Sequence, residues 1–465
     1  MYLQRKILAI IVVLIIAVAA VAAIEMAQPP QAPSSAARNI VIGLVAPVSG
    51  SPVGVDMQKA AQLAVNEINS AGGVYVSSWH THVNITLVTA DTKGDAPADA
   101  KTAVTQLENT NPVDLFIGGY GSAGTLADEV VPMQDRIPFI ITGASNDLVT
   151  RRGPQGNYGG FGPTGTYSTN DTVGMSYLFH YCTTTYDYTK TVVDFFSQVM
   201  KPMVAPDRNF SLAILYRNDA FGQGVNVATK YWIQNESLPI TVVSDRGYTA
   251  GETDFTTDLK VVQQSNPDAV FVAENPNLTP LVIQQGWSTV GLKTVYVAVE
   301  NNQDPQFYSL LEGYGNGIGN GQLMESKMDP FMVPSYSTAV GTYSAKFNET
   351  YGVVPGMMGA DTYDAFYIAK AAIESAGTLD KAAVRQAIEN TNMKDSLVLT
   401  QSGEIQFSKG SNYHEIQPIT FMEQLSINSA TNKLQSQIIW PSTAAGISHF
   451  NQTTFTLPTG YVAGK

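Results

Sequence analysis

Cysteine is nearly absent from this sequence, since Cys182 is the single one in 465 residues. One cysteine excludes a framework of internal disulfides and any metal site built from several thiolates. We expect Cys182 to be a small buried apolar residue, as most free cysteines are. No cysteine lies in residues 20–30, which excludes a thioether-linked lipid anchor.

Charge is also scarce, and most of it is negative. Lys, Arg, Asp and Glu make up 14% of the residues, whereas about 25% is usual in soluble domains. The 26 Lys and Arg residues stand against 39 Asp and Glu residues, which gives a net charge of -13. Nucleic-acid-binding proteins need a basic surface that neutralises phosphates, so this composition argues against a nucleic-acid partner.

Common catalytic motifs are missing too. The sequence contains no P-loop, Gly-x-Ser-x-Gly or His-Glu-x-x-His motif, so a hydrolase would have no recognisable nucleophile or base. His80 and His82 lack nearby cysteine or acidic partners, and we interpret them as loop or edge-strand residues. We therefore predict a protein that is not an enzyme and that holds no cofactor and no metal.

A long apolar run occurs at the N-terminus. Arg5 and Lys6 precede Ile7 to Ile24, whose length lies between a secretory signal and a minimal membrane span. We predict that residues 1–27 are a signal peptide or N-terminal membrane anchor, that residues 28–38 are a flexible linker, and that the remainder is extracytoplasmic. Seven sequons fit an exported glycoprotein. They are Asn84, Asn170, Asn209, Asn235, Asn277, Asn348 and Asn451.

Strand and helix patterns alternate from Asn39 onward. Short apolar runs such as Ile40 to Ala46 indicate buried strands, and stretches with one apolar side, such as Asp56 to Asn69, indicate helices. A second series of the same kind follows a loop at residues 153–167. The pattern predicts an α/β fold with parallel sheets that carry helices on both faces.

Two finer expectations concern the chain after the loop at residues 153–167. Val173 to Tyr181 is predicted to be helical. The polar tail past Pro441 is predicted to be loosely held.

A glycine-rich turn in the first series is the main candidate for a ligand site. The apolar run Val113 to Ile117 predicts a strand, which ends at Gly118 and Gly119 and turns into a helix from about Thr125 to Met133. The small residues Thr142 to Asn146 follow the next strand in the same way. Because parallel strands end at a common edge, both turns should lie where open α/β sheets bind ligands.

The same stretch contains a dinucleotide-like pattern, Gly119-x-Gly121-x-x-Gly124. The complete fingerprint needs an acidic residue about 20 residues further on, to hold a ribose hydroxyl. That position falls near Thr142 and Gly143, which are not acidic. A nucleotide-dependent oxidoreductase therefore stays open only as a weaker alternative.

Eight short segments occur in an order that is similar to a known family. They are VIGLVAPVSG, QKAAQLAVNEINSAGGV, DLFIGGYGSAGT, TGASND, NDAFGQG, YTAGETDF, VGLKT and AVEN. Over about Asn39 to Leu425, the chain resembles the solute-binding proteins of branched-chain amino-acid ABC transporters, the leucine/isoleucine/valine-binding family with the type I periplasmic-binding fold.

The resemblance implies two Rossmann-like lobes with parallel-sheet cores, joined by a three-crossover hinge. One ligand would bind in the cleft, which closes around it. Carried over to this chain, lobe 1 would be residues 39–166 plus 327–402. Lobe 2 would be residues 167–326 plus 403–465.

The resemblance also implies how lobe 1 holds the ligand. Ser122, which follows Gly121, matches a family serine whose hydroxyl and N–H bind the ligand's α-carboxylate. Independently of the family, a carboxylate is stabilised by the free N–H groups at the start of a helix. Ser145 would share the carboxylate, and the Ala144 carbonyl would accept a hydrogen bond from the ligand's ammonium group.

On the facing lobe, Glu300 matches the family acid that pairs with the ammonium group. Phe221 occupies an aromatic position that is often tyrosine, so a contact through a hydroxyl is absent here. Asn277 or Asn275 falls where tyrosine is common in the family. Asn277 also begins a sequon, and a cleft residue should not carry a glycan, so one of these two interpretations of Asn277 must be wrong.

The sequence thus predicts the extracytoplasmic solute-binding protein of an ABC importer. Its ligand would be a small amino acid, branched-chain or otherwise apolar, and its partners would be the membrane subunits of a permease. Contact with a membrane would be made only through the N-terminal segment. The alternative is a ligand sensor of the same fold without transport.

Overall fold

The computed structural model describes residues 36–94, 96–152, 169–315, 317–332, 336–409, 414–462 and 464. The predicted signal or anchor segment at 1–27, most of the predicted linker at 28–38 and the predicted loop at 153–167 lie outside these residues. Within the described part of the chain, no helix combines the length and apolarity needed to span a membrane.

The described strands form two large sheets and two small two-stranded pairs. In chain order they are β1 Ile40–Ala46, β2 Val74–Val76, β3 Thr81–Val83, β4 Ile85–Asp91, β5 Leu115–Gly118, β6 Phe139–Ile141, β7 Leu178–His180, β8 Phe210–Arg217, β9 Ile240–Tyr248, β10 Ala269–Ala273, β11 Val295–Ala298, β12 Leu323–Ser326, β13 Phe421–Asn428, β14 Lys433–Trp440, β15 Thr443–Ala444 and β16 Ile447–Ser448.

The α-helices lie mainly between these strands. In chain order they are α1 Pro52–Ser70, α2 Pro97–Thr110, α3 Ser122–Asp128, α4 Val130–Asp135, α5 Leu148–Arg151, α6 Thr172–Met175, α7 Thr185–Phe195, α8 Lys201–Val204, α9 Ala220–Asn235, α10 Thr256–Gln264, α11 Thr279–Gln284, α12 Pro305–Gly313, α13 Thr338–Tyr351, α14 Met357–Ala376 and α15 Lys381–Glu389.

The first sheet has the strand order β4-β1-β5-β6-β7, and every pair in it is parallel. Its strands are apolar on both faces because helices cover both. Leu115 and Ile117 belong to the core on one face, whereas Phe116 and Phe139 belong to the core on the other. This alternation follows the pleat of a strand and explains the continuous apolar runs in the sequence.

The second sheet has the order β14-β13-β12-β11-β10-β8-β9. Its strands from β8 to β12 are parallel, and β13 and β14 add an antiparallel edge. Phe271 and Val297 pack into the core on one face, and Val270 and Tyr296 into the core on the other. The predicted α/β fold with two parallel-sheet cores is therefore confirmed.

As far as the described residues trace it, the chain passes between the two halves three times. It leaves the first sheet after β7, because α7 packs into the core of the second sheet. It returns after β12, since α13, α14 and α15 pack into the core that contains β1. It crosses again between Phe407, which lies in that same core, and β13. The exact lobe boundaries stay a prediction.

The expected helix at Val173 to Tyr181 is wrong. Helix α6 ends at Met175, and β7 pairs in parallel with β6 at the edge of the first sheet. The run Leu178, Phe179 and His180 is fully buried there. A short apolar run fits a buried strand and a buried helix equally well, so periodicity could not separate the two.

The expectation of a loosely held tail past Pro441 is also wrong. Phe450 is fully buried, and Phe455 packs edge-on against Phe195 of α7 with ring centroids 5.4 Å apart. Two aromatic anchors in an otherwise polar segment are enough to fix it to the second lobe.

Candidate functional site

The turns that follow β5 and β6 lie side by side, as the sequence indicated. Gly118 and Gly119 have φ values of 123° and 77°, and a Cβ at Gly118 would lie 2.1 Å from the Val45 carbonyl oxygen. Only glycine allows this close passage into α3. The two turns are linked directly, because the Asn146 N–H donates to Ser122 Oγ at 3.3 Å.

Strand ends from the second sheet face these turns. Residues after β8, β10 and β11 meet the first lobe around a small cavity of about 240 Å³. Its lining residues are Tyr120, Gly121, Ser122, Gly143, Ser145, Arg217, Phe221, Asn275, Glu300, Asn301 and Met358. This space has room for about one water molecule.

Five of the predicted site residues line this one cavity: Gly121, Ser122, Ser145, Phe221 and Glu300. They come from separate parts of the sequence and from both lobes. The structure thus brings together the serines expected to hold a carboxylate and the acid expected to hold an ammonium group. Their roles in binding stay predictions.

Two predicted residues do not line the cavity. Ala144 is fully buried, and its carbonyl oxygen lies 2.6 Å from His180 Nε2. Asn277 is exposed on the surface, whereas Asn275 lines the cavity. Of the two asparagines that the resemblance offered for one position, Asn275 is therefore the cavity residue, and the sequon at Asn277 is accessible.

Glu300 is the buried carboxylate of the cavity. It begins a 3₁₀ turn that is separated from the end of β11 by one residue, and only 1% of it is exposed. Cys182 Sγ donates to its Oε1 at 3.3 Å, while Oε2 has no hydrogen-bond partner among the described residues. Burial raises the pKa of Glu300 to about 7, with Lys327 opposing and Asp361 adding to that rise.

A buried ion pair lies behind Glu300. Lys327 Nζ is 2.8 Å from Asp361 Oδ2, and both side chains are fully buried. Because Lys327 is already paired with Asp361, its charge is only partly available to Glu300. A cation that entered the cavity would therefore supply the partner that Glu300 lacks.

Two of the hydrogen bonds between the lobes help to close the cavity. Tyr120 Oη donates to Asn275 Oδ1 at 3.0 Å. Asn146 Nδ2 donates to the Ala220 carbonyl oxygen at 2.6 Å. A ligand larger than water can enter only when the lobes separate and these contacts break.

Sequence reasoning missed part of the cavity wall: Tyr120, Arg217, Asn301 and Met358. Arg217 is the last residue of β8, and Asn301 follows Glu300 beyond the end of β11. Both positions obey the rule that ligands bind beyond the carboxyl ends of parallel strands, so that rule could have found them. Met358 comes from the start of α14, and no sequence signal pointed to it.

A larger and more open depression lies on the first lobe, away from this cavity. It is lined among others by Glu67, Tyr343, Lys346 and Tyr363, and none of the predicted site residues takes part. Glu67 already accepts a hydrogen bond from Tyr363 at 2.5 Å and pairs with Lys346. No group of His, Cys, Asp and Glu residues in the described ranges could hold a metal ion.

Comparison with known proteins gives consistent similarities. A family model described as "Periplasmic binding protein" matches residues 39–428. The Leu/Ile/Val-binding protein homolog 8 of Brucella abortus is 22% identical over 68% of this chain and 72% of its own length. Homolog 1 of Brucella suis is 24% identical over 57% of this chain and 61% of its own length.

Solved structures with the same fold include proteins with different ligands. The leucine-binding protein LivK of Thermotoga maritima has a TM-score of 0.68 and 16% identity, over 87% of this chain and 99% of its own. LivJ of Streptococcus pneumoniae, in complex with isoleucine, has a TM-score of 0.68 and 19% identity, over 87% and 100%. A solute-binding protein of R. palustris, in complex with 4-hydroxybenzoate, has a TM-score of 0.68 and 16% identity, over 86% and 96%.

Proposed function

This chain belongs to the periplasmic binding protein family, and from that premise we propose that it captures a small amino acid in the cavity between its lobes. The observation that carries the proposal is that hydrogen-bond donors and a carboxylate face each other across this cavity. Ser122 and Ser145 present hydroxyl groups from the first lobe, and Glu300 presents an unpartnered carboxylate oxygen from the second.

The charges of an amino acid fit this arrangement. The α-carboxylate would accept hydrogen bonds from the serine hydroxyls and the backbone N–H groups of their turns. The ammonium group would pair with Glu300, which is costly to keep charged and unpaired when only 1% exposed. An aromatic acid such as benzoate carries no ammonium group and would leave Glu300 uncompensated.

We propose further that the protein works outside the cytoplasm and delivers its ligand to an ABC permease. Support comes from the similar solute-binding proteins and from the predicted export segment at 1–27. Accessible sequons also fit an exported glycoprotein. Asn84, Asn170, Asn209, Asn235, Asn277 and Asn348 are exposed, and Asn451 is partly exposed.

A thermal-shift screen of the full chain tests the binding proposal. The set contains leucine, isoleucine, valine, glutamine, glutamate, benzoate and 4-hydroxybenzoate. A ligand at 100 times its dissociation constant stabilises the folded state by about 2.7 kcal/mol. We expect at least one amino acid to do so. Stabilisation by an aromatic acid and by no amino acid would refute the proposal.

A further inference from the structure

The wall that the second lobe contributes to the cavity is mostly polar. Arg217, Asn275 and Asn301 line it, and the Tyr120 hydroxyl of the first lobe joins them. Phe221 is the apolar side chain of this wall. A cavity built for an aliphatic side chain would present apolar groups here, because each buried polar group left without a partner costs binding energy.

The hydrogen bonds of this wall fix the orientation of the Asn275 amide. Its Oδ1 accepts from Tyr120 Oη at 3.0 Å and from Asn301 Nδ2 at 3.1 Å. Asn302 Nδ2 donates to Asn301 Oδ1 at 2.8 Å, which in turn fixes Asn301. With both lone pairs of its oxygen occupied, Asn275 has its Nδ2 as the remaining group, and this nitrogen is a donor only.

Arg217 does not add net positive charge to the wall. Its Nε donates to Asp219 Oδ2 at 2.5 Å, and its Nη1 lies 3.5 Å from Glu274 Oε1. Tyr248 Oη also donates to Glu274, at 2.8 Å. Two carboxylates thus compensate one guanidinium group, so a further negative charge from a ligand would meet repulsion as well as attraction.

We propose that this wall is a subsite for a neutral hydrogen-bond acceptor, so that the ligand carries a carboxamide side chain instead of an aliphatic one. The carboxamide oxygen would accept from Asn275 Nδ2. The inference rests on the proposed function, since it takes the amino-acid end of the ligand as held by Ser122, Ser145 and Glu300. It departs from the apolar ligand that the sequence led us to expect.

Isothermal titration calorimetry with glutamine, leucine and glutamate tests the subsite. Leucine is close to glutamine in size but has no acceptor, and glutamate has the same shape with a negative charge. With the full chain we expect glutamine to bind at least about tenfold more tightly than either, because a site built to hydrogen-bond a group discriminates against analogues without it.

Asn275→Asp sharpens the test, since it keeps the shape and the accepting oxygen of Asn275 and replaces the donor with an acceptor. We expect it to weaken glutamine binding at least about tenfold. The matched control is Asn277→Asp, which makes the same change two residues away on the surface and should leave glutamine affinity within twofold.

The outcomes separate the two proposals. If leucine binds most tightly, or if Asn275→Asp leaves glutamine affinity unchanged, the subsite is refuted and the proposed function stands. If glutamate binds most tightly, the proposal that the subsite takes a neutral acceptor is refuted. If the aromatic acids bind and no amino acid does, both proposals fail.

Discussion

Glu415 and Glu300 are both buried carboxylates beside the crossings between the lobes, each 1% exposed, yet their surroundings differ completely. Glu415 accepts from Arg151 Nε at 2.9 Å, from Arg151 Nη2 at 2.7 Å and from Thr150 Oγ1 at 2.6 Å. Glu300 accepts a weak bond from Cys182 at 3.3 Å, and its second oxygen has no hydrogen-bond partner within the described residues. A buried carboxylate whose hydrogen bonds are all made stabilises the fold, whereas a buried carboxylate that lacks a partner is suited to bind a ligand reversibly.

Breaking the ion pair between Arg151 and Glu415 should have the largest effect, and that effect should be on stability. Arg151→Met leaves Glu415 buried without its cation, and we expect a loss of about 3–5 kcal/mol in the free energy of unfolding. Urea denaturation followed by circular dichroism measures it. The control is Arg136→Met, which removes a half-exposed pair with Asp171 and should cost less than about 1 kcal/mol. Equal effects of the two variants would contradict the expectation that the buried pair contributes more to stability than the half-exposed pair.

Removing the charge of the unsatisfied group should instead affect ligand binding. We expect Glu300→Gln to weaken amino-acid binding by about 2 kcal/mol, or about thirtyfold, because the ammonium group loses its counterion. Stability at pH 8 should stay the same or rise, since a buried charge is removed. Calorimetry and urea denaturation give the two values, and unchanged affinity would reject the role of Glu300.

The pH dependence of binding sharpens the contrast further. Burial raises the pKa of Glu300 to about 7 in the ligand-free protein, and a bound ammonium group would lower that pKa. Binding therefore releases a proton below pH 7, so the affinity should fall as the pH falls, by up to about tenfold per pH unit. Titrations from pH 8 to pH 5.5 should show this slope for the native chain. Glu300→Gln should show no such slope. An equal slope in the native chain and in Glu300→Gln would mean that another group causes the pH dependence.

The smallest effect on binding is expected when Glu300 gains a stronger hydrogen-bond donor. In Cys182→Ser a hydroxyl, which is a stronger donor than a thiol, replaces the Sγ group that contacts Glu300 Oε1. The charged form of Glu300 gains stability, so its pKa falls and the pH profile of binding moves to lower pH. We expect less than about a threefold change in affinity at pH 7. A shift of the profile to higher pH would contradict this expectation.

Much of the fold could be predicted because its determinants are local. Buried parallel strands are short apolar runs, and the helices between them carry polar faces, so their alternation is visible in the sequence. The strand β7 and the tail could not be predicted in this way. Leu178 to His180 is a strand only because β6 lies beside it, and Phe450 and Phe455 are anchored by cores that other segments form.

The candidate site was predictable where position in the fold determines it. Gly121 and Ser145 lie in turns that follow strands, Ser122 begins the helix after the first of these turns, and Glu300 follows β11. The choice between Asn275 and Asn277 was not predictable, because both follow β10 in the same loop and the side-chain contacts of Asn275 are made with Tyr120 and Asn301, which are distant in the sequence. Side-chain contacts between the two lobes join residues that are far apart in the sequence, so no local pattern predicts them.

Two of the hydrogen bonds that join the lobes, from Tyr120 to Asn275 and from Asn146 to Ala220, have a kinetic consequence. With room for about one water molecule, the closed form cannot admit an amino acid, so association begins from molecules that have already opened. The apparent dissociation constant is then the intrinsic constant divided by the open fraction. A substitution that loosens either bond would speed both ligand association and ligand release, and the balance between the two rates would determine how long a bound ligand is retained.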